Sequence, residues 1–499
     1  MAMSKRLRDI VKPWGISARV ADVTARHLVL DSRQISHGDV FVALRGHQRN
    51  GADFINAAIC QGACAVLVDG ERVHVNSQWQ VPVVELTQLP EQLGELAARF
   101  YQNAIGAPVA VGVTGTNGKT SVTHYMVQLL QALKHRAGVI GTLGYGDPQA
   151  LHELPNTTPD ALTVHRLLAQ LKQSHCAEHP NWVCMEVSSH GLVQNRVGGV
   201  AFEHAVFTNL SRDHLDYHGS MAAYGEAKSA LFHWPTLVSA TINADDPFGR
   251  KLLSEVSVDT IAYGIDDIAG LRQYSKWIGV EQLTPTATGF DICLASSWGN
   301  AEAHVPLLGR FNLSNLLAAL GPLLAAGIPL AELITAFAEL TPVAGRMESF
   351  QQPEHPVCIV DYAHTPDALA VALQAARYHC QGKLWLVFGC GGDRDKGKRP
   401  LMAEAAEQYA DHVIVTADNP RSEAQQDICA DIMTGFQTPA AVLVVDDRHQ
   451  AIQTALREAN ADDLIVIAGK GHEDYQLIAE QRLNFSDRAV VQSLLEVTL

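Results

Sequence analysis

Residues 112–121 read GVTGTNGKTS, and this stretch decides how the rest of the chain is interpreted. It begins inside the apolar run VAVGV (109–113), which is typical of a short buried strand, and it leads into Thr120–Leu133, whose apolar residues recur with helical spacing. Glycines at such a turn let backbone N–H groups wrap phosphates, and the start of the helix adds a partial positive charge. The stretch therefore predicts a phosphate-binding loop.

Two side chains at the end of this loop carry its expected chemistry. Lys119 is predicted to reach the β- and γ-phosphates of a nucleotide, and the Thr120 hydroxyl to hold Mg²⁺. Val113 stands where the usual pattern has its first glycine, so Gly115 is expected to supply the flexibility. The alternative is a tight strand-to-helix turn without a ligand. Phosphate loops occur in kinases, motors and ligases alike, so the class of protein has to be inferred from the remaining sequence.

Composition limits the choice of protein class. A chain of 499 residues, 47% of them hydrophobic, is long enough for about three domains. The formal net charge of −16 argues against non-specific binding to nucleic acid or to an anionic membrane surface. Nine cysteines without a CxxC pair, and an N-terminus without an apolar signal region, predict a cytoplasmic protein. The uncharged stretch 311–330 contains Asn, Gly and Pro, and it predicts helices of a soluble domain.

The strand and helix patterns predict an α/β protein of three domains. Residues 1–105 mix short strands and helices in a small domain, and residues 106–341 form a central P-loop domain with a mostly parallel sheet. Residues 342–499 form a Rossmann-like domain whose buried strands are predicted at Val357–Asp361, Leu384–Gly389, His412–Thr416, Val442–Val445 and Leu464–Ala468. Several of these strands end in the loops DYAHTP, GCGGDRDKGK, ADNPR and GKGHE, and open α/β sheets bind ligands at such carboxyl ends.

Seven motifs, in order along the chain, resemble those of the Mur ligase family. They are TGTNGKT (114–120), MEVSSHG (185–191), TNLSRDHLDYHG (208–219), YGEAKSALF (224–232), GRFNLSNLLAA (309–319), GRME (345–348) and DYAHTPDAL (361–369). The family activates a carboxylate as an acyl phosphate with ATP and joins it to an amine. The resemblance covers essentially the whole chain and implies that activity here.

The resemblance also implies residues for ATP, metal and catalysis. The ATP site it implies comprises Gly115, Thr116, Asn117, Gly118, Lys119, Thr120, Ser121, Asn312, Arg346 and Asp361. Two Mg²⁺ sites are implied, with ligands Thr120, Glu186, His214 and Lys228, the last as a carbamate made with CO₂. The catalytic residues implied are Lys119, Glu186, His214 and Lys228. Without the other motifs, Lys228 would be interpreted as a surface lysine and Asn312 as a helix cap. These structural interpretations remain alternatives to the functional ones.

The subgroup is indicated by Asp418–Arg421, DNPR, which resembles the motif of the diaminopimelate-adding members. meso-Diaminopimelate is lysine with a second carboxylate, which a guanidinium can hold with two parallel hydrogen bonds. The implied site for this amino acid comprises Arg394, Asp418, Asn419, Pro420, Arg421, Gly469 and Glu473. An ordinary Asn-Pro turn is the alternative interpretation of ADNPR.

The second substrate implied is a UDP-muramoyl-dipeptide. Its implied contacts are Leu30, Ser32, His47, Gln48, Arg49, Asn156, Thr157, Thr158, Ser188, Gln194 and Arg196. A surface loop is expected at Ser174–Asn181, where the chain carries a few extra residues. The expected partners are the three small substrates, with no nucleic acid or membrane partner, and the protein is expected to be a monomer.

Three rival functions remain. A lysine-adding or polyglutamate-forming ligase would not need Arg421 or the segment LDSR (30–33). A P-loop phosphotransferase would not need a lysine carbamate. A nucleotide-gated binding protein could lose Glu186, His214 and Lys228, and all three are present.

Overall fold

The computed structural model describes residues 5–46, 49–76, 78–101, 108–172, 181–286 and 288–497. The chain divides into two compact units, Met1–Ile261 and Ala262–Leu499, which are described separately below. Both units combine mainly parallel sheets with covering helices, and this confirms the predicted α/β class.

The N-terminal part of the first unit is built on a five-stranded sheet. Its strands, in spatial order, are Leu28–Val29, Val40–Ala43, Ala65–Asp69, Val83–Leu86 and His74–Asn76, of which only the last runs antiparallel. A small two-stranded sheet joins Lys5–Arg6 to Thr24–Ala25. The α-helices are Leu7–Ile10, Ile55–Cys60 and Leu89–Tyr101, and 3₁₀ turns lie at Lys12–Trp14, Ser17–Arg19, Ser32–Gln34 and Gly51–Phe54. The apolar face of Leu89–Tyr101 is buried in the core of this sheet.

The rest of the first unit carries the predicted central sheet. In spatial order its strands are Ala150–His152, Gly144–Asp147, Ala137–Gly141, Trp182–Glu186, Val109–Thr114, Phe202–Phe207 and Ser239–Asn243. The last five are parallel, and the first two form an antiparallel edge. The helices are Lys119–Ala132, Ala161–Lys172, Ser189–Val193, Leu215–His218, Met221–Ser229 and Pro247–Glu255, with a 3₁₀ turn at Ala230–His233. Residues 109–113 contain no polar side chain, as expected for a central parallel strand with sheet neighbours on both sides, and the strand is buried from Ala110 onward.

The second unit begins with an antiparallel ribbon that the sequence patterns did not predict. Trp277–Thr286, Gly289–Ser296 and Gly299–Val305 pair in that order, and part of Asp259–Gly264 runs parallel to the first of them. The helices here are Ile268–Leu271, Arg310–Ala325 and Leu330–Ala336, followed by a 3₁₀ turn at Phe337–Glu339. The predicted helices at 311–330 are therefore present, and the break between them falls at Gly327–Pro329.

The C-terminal part of the second unit is a six-stranded sheet. In spatial order its strands are Glu348–Phe350, Val357–Asp361, Leu464–Ala468, Leu384–Phe388, His412–Val415 and Leu443–Val444, and only the first is antiparallel. A hairpin follows at Tyr475–Ile478 and Gln481–Asn484. The helices are Pro366–Arg377, Lys398–Tyr409, Gln425–Met433, Arg448–Glu458 and Asp487–Val497, with a 3₁₀ turn at Pro439–Ala441.

Most predicted strands of this sheet are confirmed within one residue at each end, and Val357–Asp361 and Leu464–Ala468 match exactly in extent. The prediction of a buried strand at Val442–Val445 was wrong about burial. Leu443 and Val444 are 47% and 43% exposed because their strand lies at the edge of the sheet. The loops after the four central parallel strands meet at one edge, and the predicted amino-acid-binding residues lie there.

Candidate functional site

The predicted phosphate loop joins the strand Val109–Thr114 to the helix Lys119–Ala132. Gly115 has φ +150°, and a Cβ atom there would lie 1.9 Å from the Thr208 hydroxyl oxygen, so no side chain fits. Gly118, just before the helix, has φ +87°, which glycine adopts most readily. The Lys119 ammonium donates to the Gly115 carbonyl at 3.0 Å and to the Thr116 carbonyl at 2.8 Å. This geometry holds the lysine charge at the mouth of the loop, where a polyphosphate would need it.

The rest of the loop is fixed by the neighbouring strand end. The backbone N–H of Asn117 donates to the Asn209 side-chain oxygen at 3.0 Å, and the Ser211 N–H donates to the Thr116 hydroxyl at 3.0 Å. Ser121 is buried in the first turn of the helix. The loop is therefore held in shape by backbone and side-chain groups of the motif TNLSRDHLDYHG.

Glu186 lies at the carboxyl end of its strand and is 1% exposed. Its Oε1 accepts hydrogen bonds from the Thr120 hydroxyl at 3.0 Å and from the Thr142 N–H at 2.8 Å. The Thr142 hydroxyl donates to Oε2 at 3.0 Å. Thr120 and Glu186 thus place a hydroxyl and a carboxylate oxygen side by side, which is the hard donor pair that Mg²⁺ prefers.

Lys228 is not a surface lysine, because it is 1% exposed. Its Nζ donates to the Gly115 carbonyl at 2.8 Å and lies 4.3 Å from the centroid of the Tyr224 ring. Burial, with a smaller contribution from the Lys119 charge and an opposing one from Asp213, lowers the pKa of the Lys228 amine to about 6. Lys228 is therefore an uncharged amine at neutral pH beside the phosphate loop, and an uncharged amine is the form that reacts with CO₂.

His214 begins the short helix Leu215–His218 with φ +51°, an unusual backbone conformation for a residue other than glycine. Its ring lies edge-on to that of His190 at 4.9 Å, and its Nε2 is 3.5 Å from Asp213 Oδ2. Among the described residues, no group of three or more His, Cys, Asp and Glu side chains is arranged to hold a metal. The Thr120 and Glu186 oxygens are donors that suit Mg²⁺, and a carbamate on Lys228 would add oxygen donors near the Gly115 carbonyl of the phosphate loop.

Several of the predicted muramoyl-peptide residues are linked to the backbone at Glu186 through Thr158. The Thr158 hydroxyl donates to the Glu186 carbonyl at 2.9 Å and accepts from the Ser188 N–H at 2.9 Å. Arg196 donates to the Thr158 carbonyl at 2.8 Å and to the Gln194 side-chain oxygen at 2.6 and 2.9 Å. The structure brings these residues together.

Asn156 and Thr157 directly precede Thr158 in the chain and lie near the same strand end. The Thr157 hydroxyl is 3.1 Å from that of Thr142, and the preceding Asn156 is exposed. The Gln194 amide also donates to the Tyr217 hydroxyl at 3.2 Å. The segment NTTP (156–159) therefore lies beside both Glu186 and the segment that follows the strand Trp182–Glu186.

The predicted UDP-side residues follow two adjacent parallel strands of the N-terminal sheet. Leu30 and Ser32 come after Leu28–Val29, and Arg49 comes after Val40–Ala43. The Arg49 carbonyl accepts a hydrogen bond from the Gly46 N–H at 2.9 Å. Ser32 is buried, whereas Arg49 is exposed. His47 and Gln48 lie outside the described residues, as does most of the predicted surface loop at Ser174–Asn181.

The predicted nucleotide residues of the second unit lie in two places. Asn312 is buried, and its amide donates to the Leu308 carbonyl at 2.9 Å, so it ties down the start of the helix Arg310–Ala325. Asp361 accepts from the Met347 and Ala363 N–H groups, both at 2.8 Å, and burial raises its pKa. The Arg346 guanidinium lies 4.7 Å from the centroid of the Tyr362 ring, next to this carboxylate.

The side chains of Arg394 and Arg421 both approach Gly391. A Cβ atom on Gly391 would be 2.9 Å from Arg421 Nη1 and 3.6 Å from Arg394 Cγ. Arg421 donates to the Gly392 carbonyl at 2.8 Å, and its φ of +50° is held by backbone hydrogen bonds to Leu477 and Ala479. A bulky residue in that conformation costs on the order of 1–3 kcal/mol, and such strain is concentrated at functional sites. The Arg421 guanidinium and the Arg394 side chain thus approach the same glycine at the carboxyl edge of the sheet.

Carboxylates and an amide complete this cluster. The Asn419 amide nitrogen donates to Glu473 Oε2 at 2.9 Å. Asp418 precedes it, and the nearest atoms to a Cβ built on Gly469 are those of the Asp418 carboxyl group at 3.9 Å. The Pro420 carbonyl lies against Gly392, where a Cβ would approach it to 1.9 Å. All seven predicted amino-acid-binding residues therefore lie around one set of loops.

Three residues that the sequence interpretation missed contribute directly to these clusters. They are Thr142, Tyr224 and Lys470. Tyr224 and Lys470 stand inside motifs that were identified, so only their roles were overlooked. Thr142 lies in no identified motif, and the neighbouring sequence does not indicate that it contacts Glu186.

None of the helices within the described residues combines the length and the hydropathy that a membrane span requires.

Comparison with known proteins matches three segments of the chain to one family. Residues 24–101 match the model described as Mur ligase family, catalytic domain. Residues 113–323 match the Mur ligase middle domain, and residues 345–471 match the Mur ligase glutamate ligase domain.

Solved structures agree. The chain is 36% identical to a UDP-N-acetylmuramoyl-L-alanyl-D-glutamate--2,6-diaminopimelate ligase, with 95% of each chain covered and a TM-score of 0.71. It shares the fold of the UDP-N-acetylmuramoylalanyl-D-glutamyl-2,6-diaminopimelate--D-alanyl-D-alanyl ligase from Acinetobacter baumannii at 16% identity, 99% coverage of each chain and a TM-score of 0.66. It also shares the fold of the Mycobacterium tuberculosis folylpolyglutamate synthase at 19% identity and a TM-score of 0.58, with 76% of this chain and 91% of that one covered.

Proposed function

The chain belongs to the Mur ligase family of ATP-dependent ligases of peptidoglycan precursor synthesis, and from that premise we propose that it adds meso-diaminopimelate to UDP-N-acetylmuramoyl-L-alanyl-D-glutamate. The observation that carries the proposal is that the Arg394 and Arg421 side chains both approach Gly391, in the same set of loops that holds Glu473 through Asn419. Two cationic groups and a carboxylate are complementary to the far end of this amino acid, which bears a carboxylate and an ammonium. Lysine offers no second carboxylate to either guanidinium.

The reaction that this site supports has two steps. The D-glutamyl side-chain carboxylate attacks the γ-phosphate of ATP, so that an acyl phosphate forms and ADP leaves. The amine of diaminopimelate then attacks the acyl carbon, and phosphate leaves as the amide bond forms. Lys119, held at the mouth of the phosphate loop, stabilises the negative charge that develops on the transferred group.

Magnesium would supply charge neutralisation between the two anionic reactants. Thr120 and Glu186 have the oxygen donors to hold it, with Lys228 as a carbamate and His214 as further proposed ligands. The carbamate is proposed because Lys228 is buried, uncharged at neutral pH and adjacent to the loop. Arg346, Asp361 and Asn312 are proposed to complete the ATP site.

The domain assignment is part of the same proposal. Residues 1–105 would bind the UDP group through Leu30, Ser32, His47, Gln48 and Arg49, and residues 106–341 would bind ATP. Residues 342–499 would bind the incoming amino acid. The muramoyl-peptide would lie against Asn156, Thr157, Thr158, Ser188, Gln194 and Arg196. We propose a monomer that acts in the cytoplasm, where the nucleotide substrates are found.

The test is ATP-dependent phosphate release with UDP-muramoyl-L-alanyl-D-glutamate, comparing meso-diaminopimelate with lysine and identifying the product by mass. Strong dependence on diaminopimelate is expected. The variant Arg421→Met should raise the KM for diaminopimelate and leave the KM for ATP unchanged, while Arg457→Met, an exposed arginine of the same domain, should change neither. Equal turnover with lysine would overturn the specificity, and phosphate transfer without any amine would indicate a phosphotransferase.

A further inference from the structure

Lys470 is a fully buried lysine in the loop that follows the strand Leu464–Ala468. Its ammonium lies 3.1 Å from Asn419 Oδ1, 3.4 Å from Glu473 Oε2 and 3.6 Å from Asp418 Oδ1. With none of its side-chain surface exposed, it has no face to offer a ligand. Whatever Lys470 does for a bound substrate, it does through these three neighbours.

The first effect concerns the orientation of Asn419. An ammonium can only donate hydrogen bonds, so the atom of Asn419 that faces Lys470 has to be the amide oxygen. That oxygen also accepts from the Leu477 N–H at 2.9 Å. The amide nitrogen is therefore turned toward Glu473, to which it donates at 2.9 Å. Without the ammonium, only the Leu477 N–H would hold the amide oxygen in place, and the contact with Glu473 would be less strongly enforced.

The second effect concerns Glu473 itself. Both donors, the Asn419 amide and the Lys470 ammonium, reach the same carboxylate oxygen, Oε2. The other oxygen, Oε1, is then the one that can accept from an ammonium group of the substrate. Lys470 and Asn419 thus fix which face of the carboxylate is presented.

The third effect is electrostatic. Asp418 and Glu473 are two carboxylates near one buried ammonium, and Asp418 Oδ1 is buried without a hydrogen-bond donor in the described part of the chain. A buried carboxylate is tolerated only when a nearby opposite charge compensates for its desolvation. Removing the ammonium would take away a positive charge that both carboxylates share, and their side chains would change position.

We propose that Lys470 is a positioning residue for the amino-acid acceptor: it orients Asn419 and holds Glu473 so that one carboxylate oxygen receives the ammonium of the incoming amino acid. The inference deepens the proposed function and rests on it for the location of the acceptor. It predicts that Lys470 affects the binding of the amino acid far more than the binding of ATP or of the UDP substrate.

The test measures kcat and the KM of each substrate for Lys470→Met, Glu473→Gln and the double variant, by phosphate release and product mass. Methionine has about the length of lysine but no charge or donor. The KM for the amino acid should rise about ten- to one-hundred-fold in Lys470→Met, as expected for losing hydrogen bonds to a charged group. The KM for ATP should change by less than about two-fold. In the Glu473→Gln background, Lys470→Met should have little further effect, because the group it positions is already altered.

Two further variants separate positioning from structural damage. Ile452→Ala, in the buried core of the same domain, should lower the melting temperature without raising the KM for the amino acid. Lys470→Gln, which keeps a hydrogen-bond donor, should recover part of the affinity lost in Lys470→Met. If Lys470→Met lowers the melting temperature and leaves the KM for the amino acid unchanged, the inference is overturned. Equal increases in the KM for ATP and the amino acid would overturn it as well.

The outcome also separates this inference from the proposed function. The wild-type enzyme is first assayed with diaminopimelate and with lysine, and the variants are then compared with whichever amine it accepts. If that amine is lysine, the proposed substrate is wrong. The role of Lys470 is nevertheless supported if its replacement raises the KM for lysine, and it is overturned if that KM does not change.

Discussion

Thr142 supplies two of the three hydrogen bonds that the described residues donate to the carboxylate of Glu186, one from its backbone N–H to Oε1 at 2.8 Å and one from its hydroxyl to Oε2 at 3.0 Å. The third comes from the Thr120 hydroxyl. The strand that leads to Thr142 has to lie very close, since a Cβ on Gly141 would come within 2.2 Å of Glu186 Oε1. When a cation occupies the Thr120 oxygen, that hydroxyl can no longer point its hydrogen at Glu186, and Thr142 becomes the main support.

Replacing Thr142 by valine should therefore weaken metal binding. Valine keeps the shape and the backbone N–H but removes the hydroxyl bond to a charged group, which is worth about 1.5–3 kcal/mol. We expect kcat/KM for Mg·ATP to fall about ten- to one-hundred-fold. The affinity for Mn²⁺ in the presence of ADP, measured by electron paramagnetic resonance, should fall with it.

The matched control is Thr142→Ser, which keeps the hydroxyl and should stay within about three-fold of the wild type. Because the Thr142 hydroxyl is also 3.1 Å from that of Thr157, the KM for the UDP substrate should be measured in both variants. If valine and serine reduce Mn²⁺ affinity equally, the hydroxyl is not the group that matters.

Lys228 should carry a carbamate when CO₂ is available. Burial lowers the pKa of its amine to about 6, so at neutral pH it is the uncharged nucleophile that CO₂ requires. Protein equilibrated with ¹³C-bicarbonate at mildly alkaline pH should show a carbamate signal by ¹³C NMR. The signal should be missing in Lys228→Met, and that variant should lose ATP-dependent phosphate release.

Lys251→Met is the control for this experiment, since Lys251 is exposed and paired with Glu226. It should keep both the carbamate signal and the activity. A wild-type protein that shows no carbamate and yet turns over at full rate in CO₂-depleted buffer would contradict the assignment.

The phosphate loop could be predicted from sequence because its function needs a local geometry. Gly115, Gly118, Lys119 and Thr120 are consecutive or nearly so, and each is required by the turn or by the phosphate. Thr142 could not be predicted in this way. It lies 44 residues before Glu186, and it supports that side chain only because the strand Ala137–Gly141 pairs with Trp182–Glu186. A short sequence motif cannot predict contacts that depend on the order of strands in a sheet.

Burial was the second property that the sequence did not reveal. Lys228 and Lys470 are both fully enclosed, although a lysine considered alone is expected at the surface. Similarly, the sequence AVFTNL (205–210) predicts a strand, but the observed strand is Phe202–Phe207 and begins three residues earlier. Glu203 and His204 hide this start because they interrupt the apolar run. His204 is buried there because Ser239 of the adjacent strand pairs with its ring nitrogen.

His204 should make the first unit sensitive to acid. Burial lowers its pKa from 6.5 to about 4, so the folded protein binds this proton less readily than the unfolded chain. Its contribution to stability is fully present above pH 6.5 and is lost as the pH falls toward 4, by up to about 3 kcal/mol. Urea unfolding between about pH 7 and about pH 5 should show a flatter pH dependence in His204→Gln than in the wild type. Parallel curves for the two proteins would show that His204 does not take part.

The ion pair between Arg448 and Asp487 should be the most sensitive polar contact of the second unit. Both side chains are fully buried, with nitrogen–oxygen distances of 2.7 and 2.8 Å, and Arg448 also donates to the Ala417 and Ala468 carbonyls. Asp487→Asn leaves a buried guanidinium without its counter-charge and should destabilise the C-terminal domain by about 3–5 kcal/mol in chemical denaturation.

The double variant Arg448→Met with Asp487→Leu distinguishes the pair from simple packing. It removes both charges and fills similar space, so its loss of stability should be clearly smaller than the sum of the two single losses. That result would mean that the domain needs the charges only because each compensates for the burial of the other. Additive losses would mean that the two side chains stabilise the domain independently, through the carbonyls that Arg448 contacts and the helix that Asp487 begins.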